Sequence, residues 1–455
     1  MKRCLLFASF LIAASAAEVA DSTALLRAVH QDNLETARKL IREGGVNVAN
    51  RYGVTPLSLA CGNASTAMVE LLLASGADPN AALRGGETPL MTAARAGKTE
   101  PVKALLARGA DINAKDARRG QTALIWAVAE GHTEVVDLLI RAGADFRARL
   151  ESGFTPMFFA VRDGRLDVVR TLIERGADVN ETFRPSPVAG RRGPPPGTSL
   201  LGMAIENGHF ELAATLVEAG ADPNVYAPGF TPLHAISWVR KTSIGDDHDP
   251  VPQVTGNLTG IEFVKKLVAR GADVNARVTR HIRGLSRLNT LGGTPFFLAS
   301  RTADLELMRA LLELGADPNI ANADGTTPLM AAAGLGTQSP GEDPGTELEC
   351  IEAVKLALSL GADINVVDKN GDTALHGAAY KNLPALVEYL VSKGADIAVW
   401  HRQNKYGWTP LTIAMGYRFG NYKPSPDTIA AFHRAMLAAG VDPAKNPKAP
   451  GREVY

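Results

Sequence analysis

The sequence predicts an all-α solenoid of about eleven helix–turn–helix units, joined by hairpin finger loops and broken by several insertions. Three observations predict it. A block of similar sequence begins at Thr88, again at Thr122 and again at Thr155, a spacing that marks a repeat architecture. Gly-Ala-Asp turns recur in phase with those blocks, beginning at Gly76, Gly109, Gly143 and Gly176. The chain has 455 residues, beyond the size at which one hydrophobic core keeps growing, so a repeat array or several domains must share the length.

Each block follows from simple chemistry. Threonine opens a helix as its N-cap, and proline at the next place fixes φ and lacks an N–H that would go unbonded anyway. An alanine-rich helix follows, whose small side chains let neighbours pack closely. It ends at a glycine such as Gly97 or Gly131. A second helix carries apolar residues at helical spacing, as at Val135, Leu138 and Leu139. That helix ends at Gly-Ala-Asp, with the glycine suited to a left-handed cap. The polar residues beyond should form a finger leading to the next threonine.

These blocks resemble the ankyrin repeat. The Thr-Pro pairs begin at Thr55, Thr88, Thr155, Thr231, Thr294, Thr327 and Thr409, and further Gly-Ala-Asp turns begin at Gly220, Gly271, Gly315, Gly361 and Gly394. The resemblance implies a stack whose units bury a shared apolar face, with atypical units at each end. The expected layout places an N-terminal capping repeat at 18–50 and regular repeats at 51–184. A Pro/Arg-rich inserted finger follows at 185–198. Repeats with insertions fill 199–404, a C-terminal capping repeat 405–443 and a tail 444–455.

Residues 1–17 read as an export signal. Lys2 and Arg3 precede the apolar run Leu5 to Ala14, and small residues follow. That run is too short to span a bilayer, and no later stretch approaches spanning length. The layout is similar to that of exported bacterial ankyrin proteins, an impression carried by GTTPLMAAAGLG from Gly325 and GDTALHGAAY from Gly371. It implies export to a periplasm or the outside, and partner binding. Cys61 and Cys350 sit in distant repeats and should not bridge.

The fingers are basic although the whole chain carries zero formal charge. Segments 81–87, 114–121, 147–154, 181–197 and 276–293 hold thirteen Lys or Arg against four acids. Fingers line one edge of a stack, so these charges should form a stripe suited to carboxylate and phosphate, as on an acidic protein, an anionic glycan or a lipid head group. The inner-helix ends should extend it toward a groove. Arg95, Arg119, Arg149, Arg162, Arg192, Arg280 and Arg283 are the expected contacts for another protein with an acidic surface. No aromatics interleave with the basic residues, which argues against nucleic acid. A monomer is expected.

Insertions at 181–198, 239–260, 276–293, 334–347 and 416–427 fall on loops, where solenoids often bind. His132, His209, His234 and His376 occupy places where the family uses histidine structurally. Asp246-Asp247-His248-Asp249 is the one stretch of clustered metal-capable groups, and it lacks a second partner motif. Trp126, Phe158, Phe159, Phe296 and Phe297 are expected in the core. The chain has no GxSxG, GxxxxGK[ST], HExxH or CxxCH motif. The reading is therefore a non-enzymatic scaffold without cofactor or bound metal. The alternative is an enzymatic or metal-dependent sensing activity carried by the inserted loops.

Overall fold

The computed structural model describes residues 24–43, 45–187, 193–227, 229–241, 255–280, 288–418 and 423–450. The chain forms two compact units, Met1–Pro196 and Gly197–Tyr455. Among the described residues there are helices and turns but no strand, in agreement with the predicted all-α solenoid.

The first unit holds five helix pairs: α1 Ala24–His30 and α2 Leu34–Glu43, α3 Pro56–Gly62 and α4 Thr66–Ala74, α5 Pro89–Ala96 and α6 Thr99–Ala107, α7 Ala123–Glu130 and α8 Thr133–Arg141, then α9 Pro156–Arg162 and α10 Leu166–Glu174. The second unit holds six: α11 Leu200–Glu206 and α12 Phe210–Glu218, α13 Pro232–Arg240 and α14 Gly260–Ala269, α15 Pro295–Arg301 and α16 Leu305–Glu313, α17 Pro328–Ala332 and α18 Glu347–Ser359, α19 Ala374–Lys381 and α20 Pro384–Ser392. A one-turn helix, α21 Ile397–Trp400, then leads to the last pair, α22 Pro410–Ala414 and α23 Pro426–Ala438. The eleven pairs agree with the count read from the sequence.

The inner helices start as the threonines dictate. Thr55 Oγ1 accepts the Ser58 N–H at 3.1 Å, and the Thr55 N–H donates to Ser58 Oγ at 3.0 Å. The same reciprocal cap recurs at Thr409 and Thr412. Histidine plays the serine's part elsewhere: the Thr231 N–H donates to His234 Nδ1 at 3.0 Å and the Thr373 N–H to His376 Nδ1 at 3.1 Å. Each cap stabilises its helix by about 1 kcal/mol. Both histidines are fully buried, and burial pushes each down to about 4, opposed by nearby backbone carbonyls. They stay neutral and structural, as expected.

Outer helices bury one stripe against the inner row. In α8 the buried residues are Val135, Val136 and Leu139, while Leu138 is half-buried at the edge. Burying one such side chain is worth about 1.5–3 kcal/mol. Phe158, Phe296 and Phe297 are fully buried and Phe159 nearly so, as predicted. Trp126 differs: it is only half-buried. Cys61 and Cys350 are free thiols in the core, and burial pushes Cys61 up to about 12.

Two ladders tie successive repeats together. The asparagine four places after the turn glycine reaches the next turn: Asn80 Nδ2 donates to the Gly109 carbonyl at 3.0 Å, and its Oδ1 accepts the Asp111 N–H at 2.7 Å. Asn47, Asn113, Asn224 and Asn275 repeat the clip. Arg147 replaces the asparagine once, donating to the Gly176 carbonyl at 3.0 Å. The second ladder runs from the outer helices' N-caps. His132 Nε2 bonds the Arg95 carbonyl at 2.8 Å, and Arg165 Nη2 donates to the Ala129 carbonyl at 2.7 Å. His132 packs so close to Gly97 that a Cβ there would lie 2.4 Å from its ring; Gly97 also has φ +79°. Only glycine fits both demands.

The insertions are pinned where they are described. Phe183 opens the 181–198 insertion and is buried against Phe158, with ring centroids 5.7 Å apart. Arg240, just before 242–254, pairs with Asp304 at 2.8 Å and Glu306 at 2.6 Å. Segment 334–346 returns to Thr346, the N-cap of α18, and the buried Lys381 ammonium donates to the Pro344 carbonyl. No helix among the described residues is long and apolar enough to cross a membrane.

Candidate partner-binding surface

Inner helices α5 and α9 each place an arginine at the seventh position of the helix. Arg95 and Arg162 therefore occupy equivalent places two repeats apart, with Ala129 between them. Aromatic residues stand at the fourth position of α7 and α9, namely Trp126 and Phe159. The Arg95 guanidinium lies 4.8 Å from the Trp126 ring centroid, and Arg162 lies 4.8 Å from Phe159 and 5.3 Å from Phe154. Such stacking on an aromatic face contributes about 0.5–2 kcal/mol and fixes the arginine plane.

These arginines are also partnered. Arg95 sits 3.5 Å from Glu87, and Arg162 makes a fork to Asp163 at 2.7 and 2.8 Å. Arg149 bonds the Gly153 carbonyl at 2.7 Å and pairs with Glu181 at 3.2 Å. Burial pushes the Glu181 carboxyl up, opposed by the Thr155 hydroxyl and the Arg149 charge. The finger excess is therefore partly neutralised in place by acids from the same unit. Arg119 and Arg280 are exposed and make no ion pair among the described residues. Arg192 and Arg283 lie outside the described residues, as does Asp246-Asp247-His248-Asp249. Among the described residues no three His, Cys, Asp or Glu side chains converge as metal ligands.

Trp126 Nε1 is a buried donor without a hydrogen-bond partner. A buried unpaired N–H costs about 1–3 kcal/mol, so this indole carries a desolvation penalty that its ring packing must offset.

A second feature escaped the sequence. The second unit contains a cavity of about 300 Å³ lined by finger residues Asp324, Asp368, Asp372 and Lys405, by Tyr380 of α19, and by residues of two insertions. Leu288 and Asn289 come from 276–293, while Leu335, Gly336 and Thr337 come from 334–347.

Family models support the repeat directly. Those described as ankyrin repeats in three copies match residues 5–83, 25–116, 90–183 and 346–423, and a single ankyrin repeat matches 291–323, together well over half the chain. The chain belongs to the ankyrin-repeat family. Among solved structures, the ankyrin-repeat domain of Bcl-3, described as a unique member of the IκB family, is 32% identical with a TM-score of 0.41. The match covers 47% of this chain and 93% of that one. The ankyrin-repeat domain of human ASB11 is 22% identical with a TM-score of 0.44, covering 58% of this chain and all of that one. A human mitochondrial disaggregase is 43% identical over 58 residues, which is 12% of this ankyrin-repeat chain and 8% of the disaggregase. The chain thus spans under a tenth of that relative's length.

Proposed function

We propose that this ankyrin-repeat protein is a non-enzymatic scaffold that holds a protein partner against the face built from its inner-helix ends and fingers. The observation that carries the reading is the Arg95–Trp126 stack, echoed by Arg162 on Phe159. Tryptophan and arginine are, with tyrosine, the side chains most enriched among residues that dominate interface energetics, where they fill well-packed, desolvated pockets. The family supports the coarse statement, since ankyrin repeats bind other proteins.

The partner is an acidic protein surface. Exposed Arg119 and Arg280 supply unpaired charge at the fingers, and Arg95, Arg149 and Arg162 can exchange an internal carboxylate for one on the partner. Arg192 and Arg283 belong to basic finger segments by sequence. The protein acts as a monomer in an exported compartment, a periplasm or the outside, which rests on Lys2, Arg3 and the apolar run Leu5 to Ala14.

The test is binding of a captured partner by wild type, Trp126→Ala and the Arg119→Glu/Arg280→Glu double variant at two salt concentrations. Loss of affinity in both variants, with the charge variant also losing salt dependence, supports the reading. Unchanged affinity in both overturns it. Cell fractionation of the full chain tests the compartment: retention of uncleaved protein in the cytoplasm contradicts export.

A further inference from the structure

The cavity of the second unit is not part of the arginine-lined face, and its chemistry is opposite. Its walls bring three carboxylates, Asp324, Asp368 and Asp372, against one ammonium, Lys405. Asp368 is satisfied from within: its Oδ2 accepts the Thr326 hydroxyl at 2.8 Å, and its Oδ1 accepts the Asn370 and Asp372 N–H groups at 2.8 and 3.0 Å. Asp372 is not. Only 6% of it is exposed, its Oδ1 accepts Asn404 Nδ2 at 2.8 Å, and its Oδ2 accepts no hydrogen bond among the described residues. Lys405 does not reach it as a partner, since its ammonium donates to Asn370 Oδ1 at 2.6 Å and lies 5.0 Å from the Tyr406 ring centroid.

A carboxylate buried without a cation is costly, and proteins normally supply one. With all four groups ionised, the three carboxylates outnumber the one ammonium by two charges. The geometry points to a cavity that receives the guanidinium of an arginine, with Asp372 and Asp324 as its anionic partners, the Tyr380 hydroxyl as a further acceptor and the Tyr406 ring as a stacking surface. A planar fork of donors matches acceptors spread over several walls, and the same plane stacks on an aromatic ring. A compact ammonium would serve fewer of them at once. The volume, about 300 Å³, lies at the lower end of small-ligand sites, which suits one side chain or one small cation. Two of the five insertions build the walls. At Gly336, φ is +88° and an added Cβ would lie 2.5 Å from Leu288 Cβ, so the insertions are fitted to each other.

The charge environment gives the site a pH signature. Burial pushes the Asp372 carboxyl up to about 7, with Asp368 adding to the rise and Asn404 and Lys405 opposing it. The titratable groups facing it are Asp368, Lys405 and Tyr380, with Asp324 and Tyr406 on the same cavity walls. A bound cation favours the ionised form, so binding releases a proton at neutral pH and tightens as pH rises from 6 to 8.

The experiment uses the full chain and three probes in calorimetric titration: N-acetyl-arginine amide, the capped peptide Gly-Gly-Arg-Gly-Gly, and its citrulline twin. Both arginine probes should bind, and the citrulline peptide should not. Tighter binding of the peptide assigns the arginine to a partner chain, and equal binding assigns it to a free small guanidine. Asp372→Asn should weaken binding at least tenfold at pH 8 and flatten its pH dependence. Lys405→Gln should tighten binding severalfold, a gain that misfolding cannot produce. The inference is overturned if the citrulline twin binds as well as its parent, or if Asp372→Asn binds arginine like the wild type, or if Lys405→Gln weakens binding. None of these outcomes depends on the Arg95–Trp126 face of the first unit.

Discussion

Asp372 Oδ1 accepts Asn404 Nδ2 at 2.8 Å, so a buried carboxylate of one finger rests on a neutral amide of the next. An amide stabilises an anion far less than a cation would, and the Asp372 carboxyl rises from 3.8 to about 7. Below pH ~4 the group is protonated in both folded and unfolded chains and has no effect. Between pH ~4 and ~7 the folded state keeps a proton that the unfolded state has lost, so stability falls as pH rises. Above pH ~7 the cost is complete, roughly 3–5 kcal/mol. Asp372→Asn should therefore be more stable than wild type at pH 8, with the difference vanishing near pH 4. Urea denaturation at both pH values checks this, and equal destabilisation at both would contradict it.

His234 and His376 act with the opposite sign. Their folded values fall from 6.5 to about 4. Above pH ~6.5 both forms are neutral and the caps contribute fully. As pH falls toward 4 the unfolded chain gains protons that the folded chain refuses, and each histidine loses about 3 kcal/mol. His376→Gln should shallow the acid limb of stability between those values. An NMR titration placing the His376 midpoint near 6.5 would contradict the account.

The asparagine clip gives a test within the first unit. Asn80→Ala removes two exposed hydrogen bonds to the next turn, each worth about 0.5–1.5 kcal/mol net. The loss should be about 1–2 kcal/mol, with faster hydrogen exchange concentrated at Asp111. Asn80→Asp keeps the acceptor for the Asp111 N–H and loses the donor to Gly109, so it should fall between. Equal stability of all three proteins would show that the clip is ornamental.

Gly97→Ala should be costly despite its conservative size. It meets a left-handed backbone and the His132 ring together. The expected loss exceeds about 1 kcal/mol, and the paired change His132→Ala should recover part of it by removing the clash. Thermal melts of the two variants decide it; identical melts for Gly97→Ala and wild type would contradict the packing.

The helices and turns were legible because their causes are local. Thr-Pro, an alanine run and Gly-Ala-Asp each specify a cap, a close-packing face or a left-handed turn within a few residues, and all eleven pairs follow. Asn80 was visible as a letter but not as a clip, since its partners lie 29 and 31 residues away. Trp126 and Phe159 share the fourth position of their helices yet differ in exposure, so the helical pattern that placed both in the core could not separate them. The neutralisation of Arg149 was hidden for a similar reason: Glu181 sits in the next finger, 32 residues on. The cavity was least legible. Its walls come from Leu288 through Tyr406, in part from two insertions without the repeat's period, and Asp372 reads as an ordinary finger residue before Thr373.

The central claim is that the inner-helix ends of the first unit hold a protein. Photo-crosslinking side chains introduced singly at Arg95, at Arg162 and at Glu134 on outer helix α8 test it in the native compartment. The account predicts that positions 95 and 162 label the same protein and that 134 does not. Labelling only from 134, or none from 95 and 162, would contradict it.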